Sequence, residues 1–146
     1  MSNSGNVRPF AEQDRSDVVA IWRETFADDP PWNDPDNVID TKLQVQPDLF
    51  LVYETAGRVR GTVIAGFDGF RGWIHHVAVH PSMQGEGIAR QMIDMAETGL
   101  RKLGCRKINL QVRVGNDSAA ASYKSMGFSE EKRISMGKLL IEDQNR

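Results

Sequence analysis

The stretch Val77-Ala78-Val79-His80-Pro81-Ser82-Met83-Gln84-Gly85-Glu86-Gly87-Ile88-Ala89 concentrates the chemistry of this chain. β-formers come first, proline breaks the run, glycines punctuate a loop, and an apolar-periodic helix follows. Such a junction can hold an anion. The N–H groups of the first helical turn lack intrahelical acceptors, the helix dipole adds positive potential, and glycine lets a ligand approach the backbone. A pyrophosphate is the natural guest; the plainer alternative is that Gly85 and Gly87 only make a tight turn. Two phosphate loops are excluded. The dinucleotide fingerprint needs a third glycine where Arg90 stands, and the P-loop needs Gly-Lys-Ser/Thr, which this segment lacks.

A second group follows the β-rich run Lys107–Val114: Asn116, Ala119, Ala120, Tyr123, Gly127 and Phe128. On residue type alone Asn116 suits a helix N-cap, and Tyr123 a helix residue packed on the sheet. His75, His76 and His80 lie on or beside the strand entering the glycine loop. Ordinary alternation turns His75 and His76 to opposite faces and separates His76 from His80 by roughly 13 Å, which argues against a shared metal. Either of the adjacent pair could instead relay a proton near neutrality or be a hydrogen-bonded structural histidine. Asp28, Asp29, Asp34 and Asp36, with Trp32 among them, could attract a cationic amine, although acidic residues and proline also cluster wherever loops cap helices.

These residues need a scaffold, and periodicity supplies one. Val7–Phe10 reads as a short strand, and a helix from near Asp14 carries Val18, Val19, Ile21, Trp22 and Phe26 before Asp28-Asp29-Pro30-Pro31 stops it. A second short helix spans about Asp36–Gln46. Leu49–Tyr53 and Val59–Phe67 should pair antiparallel across Glu54–Arg58, and Trp73–His80 is the next strand. From Glu86 to Leu103 the positions Ile88, Met92, Met95, Ala96, Leu100 and Leu103 form a helical stripe closed by Gly104. Lys107–Val114 reads as a buried strand, Asp117–Met126 as a helix, and Phe128 to about Leu140 as one or two closing strands. Residues 1–6 and 142–146 read as loose ends of one domain spanning residues 1–146.

Composition narrows the class. With 146 residues, 18 Lys+Arg against 20 Asp+Glu leave a net charge of −2, and 40% of the residues are hydrophobic. That length suits one domain, and a lone cysteine, Cys105, forms no intrachain disulfide. The charge balance gives no phosphate-neutralising surface for nucleic acid. No apolar run reaches the roughly 18 residues of a membrane span, and the first residues lack the apolar stretch of a signal peptide. A soluble cytoplasmic protein is expected.

The segment Gln84-Gly85-Glu86-Gly87-Ile88-Ala89 resembles Gln/Arg-x-x-Gly-x-Gly/Ala, the coenzyme A pyrophosphate loop of the GCN5-related N-acetyltransferase (GNAT) family, and Asn116 to Phe128 resembles that family's Asn-x-x-Ala-x-x-x-Tyr-x-x-x-Gly-Phe segment. The resemblance runs from about Val7 to Ser135. A bacterial subgroup of the family is also similar in Pro31–Pro35 (Pro-Trp-Asn-Asp-Pro) and Gly137–Asp143.

The resemblance implies a single-domain α/β fold, a mostly antiparallel mixed sheet splayed around the coenzyme A site and flanked by about four helices. It implies acetyl transfer from acetyl-CoA, as cosubstrate, directly to an amine of a small molecule or protein, with no metal and no covalent enzyme intermediate. Backbone groups around Val77, Ala78 and Val79 would hold the pantetheine and polarise the thioester, and Gln84–Ala89 the pyrophosphate, with Gly85, Glu86, Gly87 and Ile88 inside that loop. Asn116 would steady the pantetheine arm. Tyr123 would protonate the departing thiolate, for which its reference pKa of about 10 is suited. Gln111 stands where some relatives carry an acid or histidine base. Rival readings are a transferase of another acyl-CoA and a catalytically lapsed coenzyme A sensor or partner-binding module; a homodimer is left open.

Overall fold

The structure is a computed structural model and describes residues 5–142. The expectations for residues 1–4 and 143–146, including Asp143 of the last segment, lie outside the described residues; Gly5 and Asn6, expected to be loose, are instead tied to the sheet, Gly5 N–H donating to the Tyr53 hydroxyl at 2.9 Å and Asn6 pairing opposite Glu54, because the first strand begins earlier than its apolar residues suggest. The described chain divides into two compact units, one running through Leu110 and the other beginning at Gln111.

The first unit holds a five-stranded sheet in the order β1 (Asn6–Pro9), β2 (Phe50–Thr55), β3 (Arg58–Phe67), β4 (Gly72–Val79), β5 (Ile108–Leu110). The first four are antiparallel neighbours, joined in β2–β3–β4 by hairpins, and β5 runs parallel to β4 after a helical crossover. Helices α1 (Arg15–Thr25) and α2 (Pro35–Lys42) serve one face, and α3 (Ile88–Lys102) the other. Among the described residues no helix is long and apolar enough to cross a membrane.

The α1 and α2 face is built from aromatic stacking. Phe10 lies parallel to Phe50 at 4.5 Å, Phe50 meets Trp22 at 5.8 Å, and Val18, Ile21, Ile39, Val52 and Ile64 close the space around them. On the opposite face α3 buries Ile88, Met92, Ile93, Ala96 and Leu100. Met95 and Leu103, expected in the stripe, are about half exposed (45% and 48%). Met95 sits at the stripe's margin, and Leu103 is already the C-cap. Helix α2 stops at Lys42, short of Gln46, because Gln46 takes a left-handed conformation and binds the backbone of Phe67 through both ends of its amide.

Polar ties fix the helices to the sheet. The fully folded-in Asp14 takes both Nη atoms of Arg8 at 2.8 and 2.9 Å and the Ala11 N–H at 2.8 Å, while Arg8 also reaches Glu54. Burial raises the carboxyl of Asp14, but the Arg8 fork and the Ala11 N–H outweigh it and hold the pKa below the ordinary value. A depressed pKa contributes stability that is present above the unfolded-state pKa and lost as pH falls through the folded-state one. Asp14→Asn is therefore expected to lower unfolding free energy by about 2–4 kcal/mol at pH 7. In urea titrations the gap should close toward pH 2–3; a gap equally large there would contradict the ion pair as its source.

Two strand expectations are corrected. Of Lys107–Val114 only Ile108–Leu110 is strand, half-buried rather than buried, and Val114 is fully exposed. Phe128 to Leu140 forms no strand among the described residues; Ile134, Met136 and Leu140 are exposed, and the Arg133 N–H bonds the nearby Glu131 carbonyl instead of a second strand. β-propensity describes a fit to a neighbouring strand, and within this unit helix α4 (Asp117–Ser125) offers no edge to pair with.

Candidate functional site

Strand β4 is irregular where the chemistry gathers. Its pairing with β3 passes from Ile64↔His75 to Thr62↔Ala78, so that His76 and Val77 together oppose Val63. This is a β-bulge, and His76 accommodates it with φ +52°. A left-handed conformation at a non-glycine residue costs on the order of 1–2 kcal/mol, so surrounding contacts must hold it. They do. The His76 ring packs on Trp22 at 4.7 Å and edge-on against Phe26 at 5.3 Å, and its carbonyl accepts the Thr62 hydroxyl at 2.9 Å.

The bulge overturns the expectation that His75 and His76 point oppositely. His75 is paired beside Ile64 of the α1 and α2 face and stacks with Trp73, while His76 turns to the same face. Burial, then the neighbouring His75, lowers the His76 pKa against a weaker opposing pull from Asp29. Desolvation and the Lys42 ammonium lower His75. Both rings are therefore neutral at pH 7, which suits proton acceptance. Among the described residues no three His, Cys, Asp or Glu side chains are grouped to hold a metal.

Past the bulge, β4 has no second strand neighbour among the described residues. The β5 ladder covers only Gly72, Trp73 and Ile74. The His80 N–H bonds the Arg60 carbonyl on the β3 side, so strand alternation turns the main-chain groups of Val77 and Val79 to the opposite edge, while Ala78 is buried beside Thr62. The Val79 carbonyl there accepts from Gln84 Nε2 at 3.2 Å.

His80 then caps a single turn, Pro81–Met83, its Nδ1 accepting the Ser82 N–H. Gly85 and Gly87 have φ of +84° and +78°, and a side chain built on either would meet nothing within 4 Å. Gly87 is the N-cap of α3 and, as glycine, brings no side chain of its own to cap that end; the first intrahelical bond runs from Gln91 N–H to Gly87 O. Gln84, Gly85 and Gly87 are exposed, Glu86 and Ala89 half-buried, and Ile88 anchors the turn in the core. An open, glycine-capped helix start fits a diphosphate: room for the anion, and first-turn donors aimed at it.

In the second unit Asn116 accepts the Ala119 N–H at 3.2 Å, which makes it the N-cap of α4. The helix ends in a Schellman cap. Phe128 N–H bonds Tyr123 O, Gly127 N–H bonds Lys124 O, and the Phe128 ring meets Tyr123 edge-on at 5.9 Å. The Tyr-x-x-x-Gly-Phe spacing thus has a local structural reason. Burial raises the Tyr123 pKa, keeping its hydroxyl protonated. Gln111 donates to the Ser135 hydroxyl.

Two of the four acidic residues are committed to ion pairs: Asp36 binds Arg15 at 3.0 Å and Asp34 lies 3.8 Å from Arg23. Thr62 and Trp22, which hold the bulge, escaped sequence reasoning. An inward hydroxyl on β3 and two consecutive histidines on β4 were the signals present.

The Acetyltransferase (GNAT) family model matches residues 16–128. A protein named acetyltransferase from Sodalis glossinidius is 42% identical over 139 residues, covering 94% of this chain and 97% of that protein. One from Pectobacterium atrosepticum is 41% identical over 138 residues, with the same coverages. In fold, the aminoglycoside acetyltransferase AAC(6')-Iy in complex with a bisubstrate analog superposes at TM-score 0.77 with 16% identity, covering 94% of this chain and 99% of that one. A Clostridium acetobutylicum predicted acetyltransferase with acetyl-CoA gives 0.74 with 21% identity, covering 93% and 97%. With the family model spanning most of its length and relatives matching it nearly end to end, the chain belongs to the GNAT acetyltransferase family.

Proposed function

We propose that this chain transfers an acetyl group from acetyl-CoA directly to an amine. The observation that carries the reading is the junction Gln84–Ala89, open and glycine-capped at the start of α3 and entered from a strand that, among the described residues, has no strand partner on its far edge beyond Ile74. Gln84, Gly85, Glu86, Gly87, Ile88 and Ala89 would hold the pyrophosphate, and the backbone of Val77, Ala78 and Val79 the pantetheine, with Asn116 steadying the arm. Acetyl-CoA, when bound, supplies the acetyl group as a thioester. The amine lone pair forms the C–N bond as the C–S bond breaks, the Val77 amide steadies the charge developing on the carbonyl oxygen, and Tyr123 returns a proton to the thiolate. His76 or His75, both neutral at pH 7, takes the amine proton directly or through water. Gln111 cannot take a proton, which favours as second reading a coenzyme A sensor without turnover.

Assay of acetyl-CoA with a panel of small and peptide amines separates the two. The deprotonated amine is the nucleophile and the histidines are already neutral, so kcat/KM should rise from pH 7 to 9 with a midpoint that follows the acceptor's own pKa. Two acceptors differing in pKa should give two midpoints. A common midpoint would assign the rise to the protein, and no turnover with any amine would leave the sensor.

A further inference from the structure

Thr62 is fully buried in an otherwise apolar stretch of β3, and its hydroxyl is used twice: it accepts the Trp22 Nε1–H at 2.8 Å and donates to the His76 carbonyl at 2.9 Å. A valine would fill the same volume without the burden of burying a polar group, so the hydroxyl needs a partner-based reason. The bulge supplies it. Two β4 residues against one β3 residue leave the His76 carbonyl displaced from the regular ladder, and His76 sits at φ +52°, a conformation its own backbone disfavours. Trp22 completes the arrangement from α1, since the same indole that donates to Thr62 also packs against the His76 ring, tilted at 50° with centroids 4.7 Å apart.

We propose that Thr62 is a positioning residue for acyl transfer: its hydroxyl, held between the Trp22 indole and the His76 carbonyl, locks the bulge that turns the His76 ring toward α1 and the Val77 amide toward the unpaired edge of β4. The proposal rests on the acyltransferase reading above. Without the hydroxyl, the His76 carbonyl and the Trp22 N–H both lose their buried partner, and the left-handed residue loses the bond opposing its relaxation. The pyrophosphate loop, which begins after Val79, makes no use of Thr62, so only the pantetheine contact at Val77 ties coenzyme affinity to the hydroxyl, and turnover should fall much further than binding.

The test compares Thr62→Val with Thr62→Ser. Thr62→Val should lower kcat by about tenfold or more while the Kd for coenzyme A, measured by calorimetry, stays within about threefold. The His76 ring proton resonances, shielded by Trp22 in the parent, should move in this variant. Thr62→Ser should stay close to the parent in all three. Parental kcat in folded Thr62→Val, or a serine variant as impaired as the valine, overturns the proposal. If Thr62→Val does not fold, Thr62→Cys keeps the volume with a weaker donor and should lose about threefold or more in kcat; parental kcat there overturns it equally. A parent protein that binds coenzyme A but acetylates no amine overturns the acyltransferase reading instead, and the lock is then judged by the His76 resonances, unmoved ones in Thr62→Val refuting it.

Discussion

Gly87→Asp is expected to abolish the thermal stabilisation that acetyl-CoA confers. A ligand present at 100 times its Kd adds about 2.7 kcal/mol to the folded state, which in a domain of this size is a rise of roughly 5–10 °C in Tm. The aspartate would stand at the N-cap of α3, in space now open, and its carboxylate would accept the first-turn N–H groups that the diphosphate needs while repelling it by charge. The unliganded variant should melt close to the parent. The φ of +78° penalises a side chain by about 1 kcal/mol, and the new cap returns about as much. A full acetyl-CoA shift in this variant would remove the loop from the binding site.

Tyr123→Phe should lower kcat by about 100-fold or more with the acetyl-CoA Kd unchanged. The substitution is selective because of how α4 ends. The ring of residue 123 closes the Schellman cap against Phe128 at 5.9 Å, and phenylalanine keeps that contact while deleting the only transferable proton. Stability should therefore hold, and the lost rate reports the hydroxyl alone. Parallel loss of coenzyme binding and turnover would instead assign Tyr123 to the architecture of α4.

Much of the scaffold was legible because its causes are local. Helix α3 follows from a stripe of Ile88, Met92, Ala96 and Leu100 ended by Gly104, and the β2–β3 hairpin from two β-rich runs about a Gly-containing turn. The glycine loop was legible for the same reason, as its conformation is written in residues that tolerate positive φ. What escaped depends on partners distant in sequence. Ile134 and Met136 alternate as a strand should, yet alternation does not provide an edge to join, and the segment carries none among the described residues. The bulge at His76 requires Thr62 and Trp22, which are 14 and 54 positions away by their numbers, and neighbouring histidines alone do not announce it.

The extra residue in β4 also acts as a change of parity. Along a regular strand, odd and even positions keep their sides to the end; here the count is reset between His75 and Ala78, so the even–odd rule that holds for Trp73 and His75 on one side assigns Ala78, not Val77 or Val79, to that side afterwards. Deleting one residue there would restore a regular ladder and send the wrong half of the following turn toward the helices, leaving every side chain chemically intact and misaddressed. Length within this short stretch is thus constrained more tightly than composition: exchanges of valine for isoleucine preserve the address, whereas a one-residue gain or loss does not.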